Sequence, residues 1–518
     1  MRLQPLGHLT IIWSYYCIHN TLYNANIFLY FQIILLEHDN MVIYKKTQCQ
    51  STFLFYDYET FGLHPLYDRI AQFSCVRTNM NLEVILQPKT LYCQIPTDYL
   101  PNLQSIKIHN FNYHDYFKKY LLEYKFAKYI NNIFTQNNTC IVGYNNIAFD
   151  DEFSRFLFYR NFYDAYNWSW QNCNSRWDIL NLARACYVLR PEGIVWPKHN
   201  HIPIFNLAAI TKINNLSLYS QSHDALNDVY STIALAKLIK KKQPLLFHYF
   251  FKNRLKKELL KIINLFTMHP LIYISAIYKN INNNLGCIAP LCLHPYNKNI
   301  LVVFDLQYDV NFFIKIYWHD KIIDTLLPFI KFIYLNKSPI IIPIKVLKKN
   351  DIQRLKFNIT LYLKHFVMFK QYVCKVKKIV QKYLYNVAST QNYLYKTTNM
   401  YNVDTQLYKQ FFPIQDQKKF YLIRNIDIYK NNIFNFIDDR INFLLLKYKA
   451  RNFTCILNNT EITEWNKYLF YKYTSTQINN YIAQIHNLLC HVSIKTEHKL
   501  FLNKLLYSIK TYLICNTK

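Results

Sequence analysis

Short apolar runs separated by polar turns dominate residues 51 to about 242, and the first sets the pattern: Phe53-Leu54-Phe55-Tyr56-Asp57-Tyr58-Glu59-Thr60-Phe61-Gly62. It reads as an apolar strand with two carboxylates near its end. Residues two apart on a strand project from one face, so Asp57 and Glu59 point together. A second strand is expected over 70–77 and a third around 83–87. The next apolar run, Cys140-Ile141-Val142-Gly143-Tyr144-Asn145, leads into Phe149-Asp150-Asp151. Strands feeding helices predict an α/β region, a mixed sheet with helices packed on it. Within Ser222-His223-Asp224-Ala225-Leu226-Asn227-Asp228-Val229, a helical run opens and continues through Ile233, Ala234 and Leu238. That places His223 near the helix start and Asp228 about one turn later on the inward side.

The pattern changes after Lys240-Lys241-Lys242-Gln243-Pro244, where a charge run and a proline mark a boundary. Residues 245–395 carry short alternating runs, such as 300–305 and 329–335, and are expected to form a β-rich domain. From 400 to 518 helical spacing takes over, with Ile433, Phe436, Ile437, Ile441, Leu444 and Leu445 in one run and Ile478, Ile482, Ile485, Leu488 and Leu489 in another. Residues 1–40 do not match the rest of the chain. Their apolar stretch is broken by His19, Asn20, Asn24, Asn26 and Gln32, so it offers no run of about 18–20 apolar residues to span a bilayer. The charged start and small-residue cleavage site that a signal peptide needs are both unconvincing, with Arg2 as the one early charge. Met41 lies just before the first strand, and translation is expected to begin there, leaving residues 1–40 outside the fold.

Composition narrows the class. The 518 residues are 51% apolar, enough for two to four cores, which excludes a disordered chain. Lys and Arg number 61 against 31 Asp and Glu, a formal charge of +30 that suggests a polyanionic partner such as nucleic acid. Part of this excess follows from a residue usage that favours Lys, Asn, Ile, Tyr and Phe and leaves only 5 Gly and 16 Pro, as A+T-rich codons would. Few glycines remain, and Gly62, Gly143 and Gly193 are expected where the backbone tolerates no Cβ. The 13 cysteines are scattered without a Cys-x-x-Cys pair, and Cys287 and Cys292 have no matching zinc partners. They read as reduced core residues of a cytoplasmic protein.

Two carboxylates held side by side repel, so the Asp57–Glu59 pair points to a cation between them, and hard oxygen ligands suit Mg²⁺ or Mn²⁺. Asp150 adds a third carboxylate, although Asp151 and Glu152 beside it look equivalent in the sequence. The order is therefore Asp-x-Glu, Asp, His-x₄-Asp. It resembles the DEDDh branch of the 3′→5′ exonucleases, which have a ribonuclease H-like fold. Longer segments resemble the exodeoxyribonuclease I family in particular. They include 51–62, Gly143-Tyr144-Asn145-Asn146, Trp168-Ser169-Trp170-Gln171, Ser175-Arg176-Trp177-Asp178, Leu189-Arg190-Pro191-Glu192-Gly193, 223–228, Asn402-Val403-Asp404, Gln406-Leu407-Tyr408 and Ala450-Arg451-Asn452-Phe453.

The resemblance implies a ribonuclease H-like exonuclease domain over 51–242, an SH3-like β-rich domain over 245–395 and an all-α C-terminal domain over 400–518. It implies release of 5′-mononucleotides from the 3′ end of single-stranded DNA, in DNA repair and recombination. Asp57, Glu59, Asp150 and Asp228 would hold two Mg²⁺ ions, with Mn²⁺ as a substitute, and His223 would take the proton of the attacking water. Arg155, Tyr166, Trp168, Trp170, Arg176, Trp177 and Arg184 combine the aromatic faces and basic side chains that unpaired bases and phosphates need. Of these, the resemblance selects Arg155, Tyr166, Trp170 and Arg184 as strand contacts, with Glu59 also touching substrate. In Phe205-Asn206-Leu207 the family has a DNA-contacting Arg at the middle position, so Asn206 implies a weakened phosphate contact.

The resemblance also implies a monomer that binds the acidic C-terminal tail of the single-stranded-DNA-binding protein through Arg190, Tyr249 and Arg354. Two alternatives remain at this point. One is an exoribonuclease with the same site, disfavoured by the 270 or so residues after the nuclease domain; the other is an inactive nucleic-acid-binding protein, disfavoured by five catalytic positions that all hold the required residue types.

Overall fold

The computed structural model describes residues 51–108, 113–216, 224–317, 328–394, 400–425, 435–490 and 495–511, all within one compact unit, 51–518. Residues 1–40 and Met41 lie outside the described residues.

The first apolar run forms β1 (Thr52–Thr60), inside a six-stranded sheet with β2 (Ile70–Thr78), β3 (Lys89–Cys93), β4 (Tyr120–Leu121), β5 (Thr139–Gly143) and β6 (Ser175–Asp178). The order is β4-β3-β2-β1-β5-β6. β1 runs antiparallel to β2 and parallel to β5, and β5 runs parallel to β6. Every residue of β2 and β5 is buried because helices cover both faces, which is why these strands read as unbroken apolar runs. Phe53 and Phe55 pack with Trp177 and with Val229 and Ile233 of the helix Ala225–Lys242. Leu54, Tyr56 and Tyr58 pack on the opposite face with Phe126 and Ile130 of the helix Glu123–Phe134 and Phe153 and Leu157 of the helix Asp150–Arg160. The two-residue period therefore turns Asp57 and Glu59 toward the helix that carries Asp228.

The strand expected around 83–87 is instead a turn with one isolated bridge, Thr78 to Val84. The Asn79 carboxamide oxygen accepts from the backbone N–H groups of Asn81 (2.9 Å) and Glu83 (3.0 Å), and Leu82 has a φ of 68°. This Asx-type turn consumes Glu83, and pairing resumes at Lys89.

The middle region holds a five-stranded antiparallel sheet in the spatial order Ile330–Tyr334, Ile300–Asp305, Leu285–Leu293, Leu271–Ile274, Ile340–Pro343. The span 245–395 is less β-rich than its alternating runs suggest. It opens with helices Pro244–Asn253 and Lys256–Ile262 and closes with the 36-residue helix Ile359–Leu394. The C-terminal region is helical, with Ile414–Asn425, Arg440–Asn452, Asn459–Lys472, Ser475–Leu489 and Thr496–Ile509. Ile433 lies outside the described residues.

The C-terminal helices complete the nuclease domain rather than merely adjoin it. Phe61, Tyr92 and Tyr116 share a core with Trp465, Phe501 and Leu505, and the Phe61 and Phe501 rings stack 6.2 Å apart. Beside this core Arg451 reaches Asp98 at 2.8 Å and Asp404 at 2.7 Å, while Lys447 meets Asp404 at 3.0 Å and Arg160 meets Glu123 at 2.7 Å. Burial alone would push the Asp98 and Asp404 carboxyls up, but Arg451, together with Lys472 at Asp98, Lys447 at Asp404 and Arg69 at both, holds them well below the usual carboxylate range. Among the described residues no helix is long and apolar enough to cross a membrane.

Candidate active site

Asp57 and Glu59 lie opposite Ser74 and Gln72 of β2, and a register shift follows between Glu59 and Thr60. Asp228 sits in the first turn of the helix Ala225–Lys242, whose start is capped by the Asp224 side chain accepting from the Leu226 N–H. Ligand atoms of Asp57, Glu59 and Asp228 all lie within 4.8 Å of one another, and each residue is partly buried.

The structure separates the three adjacent acids that the sequence leaves equivalent. The β1–β5 ladder ends at Phe55 and Val142, and beyond it the Tyr58 N–H donates to the Asp150 carboxylate at 3.2 Å. Asp151, fully buried, accepts from the Tyr56 hydroxyl at 2.6 Å and from Arg176 at 2.5 Å. Glu152 accepts from Arg155 (2.7 Å), Lys337 (3.3 Å) and the Tyr408 hydroxyl. Asp151 and Glu152 are thus committed to structure, and Asp150 is the member held against β1. Gly143, at the end of β5, lets the following turn pack against β1, since a Cβ there would stand 2.6 Å from the Asn146 Cβ and 3.0 Å from the Tyr56 carbonyl oxygen.

The electrostatics of the cluster are those of charges pressed together. Burial pushes the Asp57 carboxyl well above its ordinary value, and Asp150, Asp228, Glu59 and Asp224 each add to the effect. Glu59 is pushed up to about 8, by burial first and then by Asp228, Asp224 and Asp150. Asp150 is raised by burial and by Asp151. A donor set made only of carboxylate oxygens, each destabilised by its neighbours' charge, fits a hard divalent cation.

The remaining expected residues divide. His223 lies outside the described residues, one position before Asp224. Trp168, Trp177 and Arg176 belong to the interior, the two rings at 1% and 2% exposure and Arg176 ion-paired to Asp151, so they offer no platform to a strand. Trp170, at 61% exposure, is open to solvent. Tyr166 is partly buried with the Arg155 guanidinium 5.4 Å from its ring centroid, and Arg155 itself is buried and held by Glu152 and Tyr408. Asn206 caps the helix Leu207–Ile213, its side chain accepting from the Ala209 N–H at 3.0 Å. Arg190 and Arg354 both approach Asp351, at 3.2 and 3.5 Å, and Arg354 also lies over the Tyr187 ring. Tyr249 is half-buried on the helix Pro244–Asn253 with its ring edge-on to Phe250.

Sequence reasoning missed Asp224 as part of the cluster's field, although it stands inside the His-x₄-Asp motif. It also missed Lys337 and Tyr408, which bring the middle and C-terminal regions to Glu152, two residues from Asp150. No local signal could reveal pairs separated by 185 and 256 positions.

The mixed sheet with carboxylates clustered at the end of its central strand is that of a ribonuclease H-like exonuclease. Three family profiles match in succession: Exonuclease over 54–236, Exonuclease I SH3-like domain over 254–385 and Exonuclease I C-terminal domain over 401–513. Exodeoxyribonuclease I of Buchnera aphidicola subsp. Schizaphis graminum is 43% identical over 484 residues, 91% of this chain and 97% of that protein. The structure of E. coli exonuclease I in complex with a dA16 oligonucleotide aligns with a TM-score of 0.80 at 35% identity, covering 89% of this chain and 100% of that one. That of SSB/exonuclease I in complex with the inhibitor CFAM aligns with a TM-score of 0.77 at 35% identity, covering 90% and 100%. The chain belongs to the exodeoxyribonuclease I family. It is a hydrolase of phosphodiester bonds, with a ribonuclease H-like exonuclease domain followed by an SH3-like and a C-terminal domain.

Proposed function

We propose that this protein degrades single-stranded DNA from the 3′ end to 5′-mononucleotides, with divalent cations, two Mg²⁺ in the cell, held by Asp57, Glu59, Asp150 and Asp228. The observation that carries this reading is the convergence of Asp57, Glu59 and Asp228 ligand atoms within 4.8 Å at the end of β1. When bound, the cations neutralise charge building at phosphorus and polarise the attacking water and the leaving 3′-oxygen. The chain's own groups do the rest. β1 presents Asp57 and Glu59 as one rigid pair, the helix start brings Asp228 to them, and the Tyr58 N–H orients the Asp150 carboxylate. His223 accepts the water's proton at neutral pH, as an imidazole ordinarily titrating at about 6.5 can and as a carboxylate committed to a cation does poorly.

Exposed Trp170, with Tyr166 and Arg184, supplies stacking and charge to the strand, as do aromatic and basic side chains in single-strand grooves generally. Arg155 joins them by exchanging Glu152 for phosphate. Asn206 serves mainly as a helix cap. Arg190, Arg354 and Tyr249 take the acidic tail of the single-stranded-DNA-binding protein, supported by the two cations gathered around Asp351.

Digestion of matched 3′-labelled single-stranded DNA, duplex DNA and RNA under Mg²⁺, with Asp57→Ala as control, tests the proposal. Mononucleotides released from single-stranded DNA alone are the expected result. Preference for RNA, or binding without release from any substrate, would overturn it.

A further inference from the structure

The helix Asp150–Arg160 is held from two sides. Phe153 and Leu157 pack on β1, where the Tyr58 hydroxyl also meets the Ser154 hydroxyl at 2.9 Å. Glu152, Phe156 and Tyr159, four and three residues apart, share another face of the helix. The C-terminal region meets that second face. The Tyr408 hydroxyl donates to Glu152 and its ring stands edge-on to Phe156 with centroids 5.8 Å apart, while the Tyr159 hydroxyl donates to the Val403 carbonyl at 3.1 Å.

The middle domain grips the same turn. Lys337 reaches Glu152 at 3.3 Å, and the carbonyl of the preceding Asn336 accepts from Arg176 at 2.9 Å. Arg176 in turn pairs with Asp151 at 2.5 Å. Asp150, Asp151 and Glu152 all lie in the first turn of the helix, so the anchors fall one and two residues from Asp150. Consecutive residues of one helical turn cannot shift independently, and a displacement of Glu152 carries the Asp150 backbone with it. The Glu152–Arg155 pair, at 2.7 Å, lies within the helix and fixes the turn to nothing outside it. Tyr408 and Lys337 are different, because each ties the carboxylate to another domain.

We infer that Tyr408 and Lys337 are positioning residues for hydrolysis, acting through Glu152 to set where Asp150 stands relative to Asp57, Glu59 and Asp228. The cation site is then complete only with all three domains docked. The inference rests on Asp150 being a cation ligand, as proposed above, and adds that the accessory domains place it.

Steady-state digestion of 5′-labelled oligothymidylate under Mg²⁺, with Mn²⁺ titration followed by electron paramagnetic resonance in the absence of DNA, tests it on the full chain. Tyr408→Phe and Lys337→Met should each lower kcat about tenfold with KM within about twofold of wild type, and should weaken Mn²⁺ binding by a similar factor. In a Glu152→Ala background Tyr408→Phe should cost nothing further, since the hydroxyl acts through that carboxylate. Lys261→Gln, an exposed charge change elsewhere, should match the wild type. Wild-type kcat and Mn²⁺ affinity in both Tyr408→Phe and Lys337→Met would overturn the inference, as would a loss confined to KM or one matched by an equal loss of folded protein. If Glu152→Ala fails to fold by near-ultraviolet circular dichroism, the two single variants decide alone. Asp150→Asn separates the two readings. Full turnover and Mn²⁺ binding in Asp150→Asn refute the proposed ligand set, whereas their loss there, with Tyr408→Phe and Lys337→Met at wild-type levels, refutes only the positioning.

Discussion

Two groups of buried carboxylates in this molecule behave in opposite ways. At the end of β1, Asp57, Glu59 and Asp150 are pushed to higher pKa by burial and by one another. At the seam with the C-terminal helices, Asp98 and Asp404 are buried more deeply than Asp57 and Glu59, yet Arg451 and its neighbouring cations hold them low. The residue types are the same, and what differs is whether the fold itself supplies the counter-charge. The seam is electrostatically finished by the chain's own cations, whereas the β1 cluster is a set of carboxylates that could coordinate a metal. A strained acidic cluster beside a satisfied one separates chemistry from architecture more clearly than burial does.

The largest expected effect is on turnover. Asp57→Ala should lower hydrolysis of single-stranded DNA at least about a thousandfold, while its urea midpoint in EDTA stays level or rises because a repelling charge is gone. A fall in that midpoint would break the comparison. Next is the seam: Arg451→Ala leaves Asp98 and Asp404 buried without their main partner and should cost about 3–5 kcal/mol in urea denaturation.

A smaller effect is expected at Gln72, which stands opposite Glu59 and grips the start of the Asp228 helix with both ends of its amide. Its Nε2 donates to Asp224 at 2.9 Å and its Oε1 accepts from the Ala225 N–H at 3.3 Å. Gln72→Ala should reduce kcat about ten- to a hundredfold through misplacement of Asp228, with KM little changed. Equal losses in kcat and in the amount of folded protein would argue for a purely structural part.

The smallest effect is the pH dependence of stability. Carboxylates with raised folded pKa values favour the folded state below their unfolded values and lose that contribution as pH rises through the folded pKa, which for Glu59 is about 8. Mg²⁺ should therefore raise the melting temperature more at pH 8.5 than at pH 5.5, by a few degrees. Asp98 and Asp404 carry the opposite sign. Their contribution is complete above the ordinary carboxylate range near pH 4 and disappears as pH falls through their depressed folded values. Acid unfolding should thus be unaffected by Mg²⁺ and weakened in Arg451→Ala.

The sequence made the β1 cluster legible because its chemistry is written locally. A two-residue period aims Asp57 and Glu59 together, and a helix start one motif away brings Asp228. Asp150 could not be told from Asp151 by the same means, since the distinction is a contact with Tyr58 across 92 positions. The seam was invisible for a stronger form of that reason, as Asp98 and Arg451 lie 353 positions apart. The turn at 83–87 was misread because Val84, Ile85 and Leu86 look like strand, while Asn79 reaches forward to close a loop. In the helix Ile359–Leu394, the many Tyr, Phe and Val residues mask its period behind a strand-like composition.

The stacking of Phe61 on Phe501 has a consequence for biosynthesis. Phe61 lies directly after the strand that bears Asp57 and Glu59, and beside nearby Tyr99 and Tyr116 part of its surroundings, Trp465, Phe501 and Leu505, comes from helices made more than four hundred residues later. The nascent exonuclease domain therefore emerges with part of an aromatic face uncovered, and it acquires its finished packing only when the C-terminal helices have been made. Completion of the nuclease core in this way waits on the synthesis of its C-terminal helices.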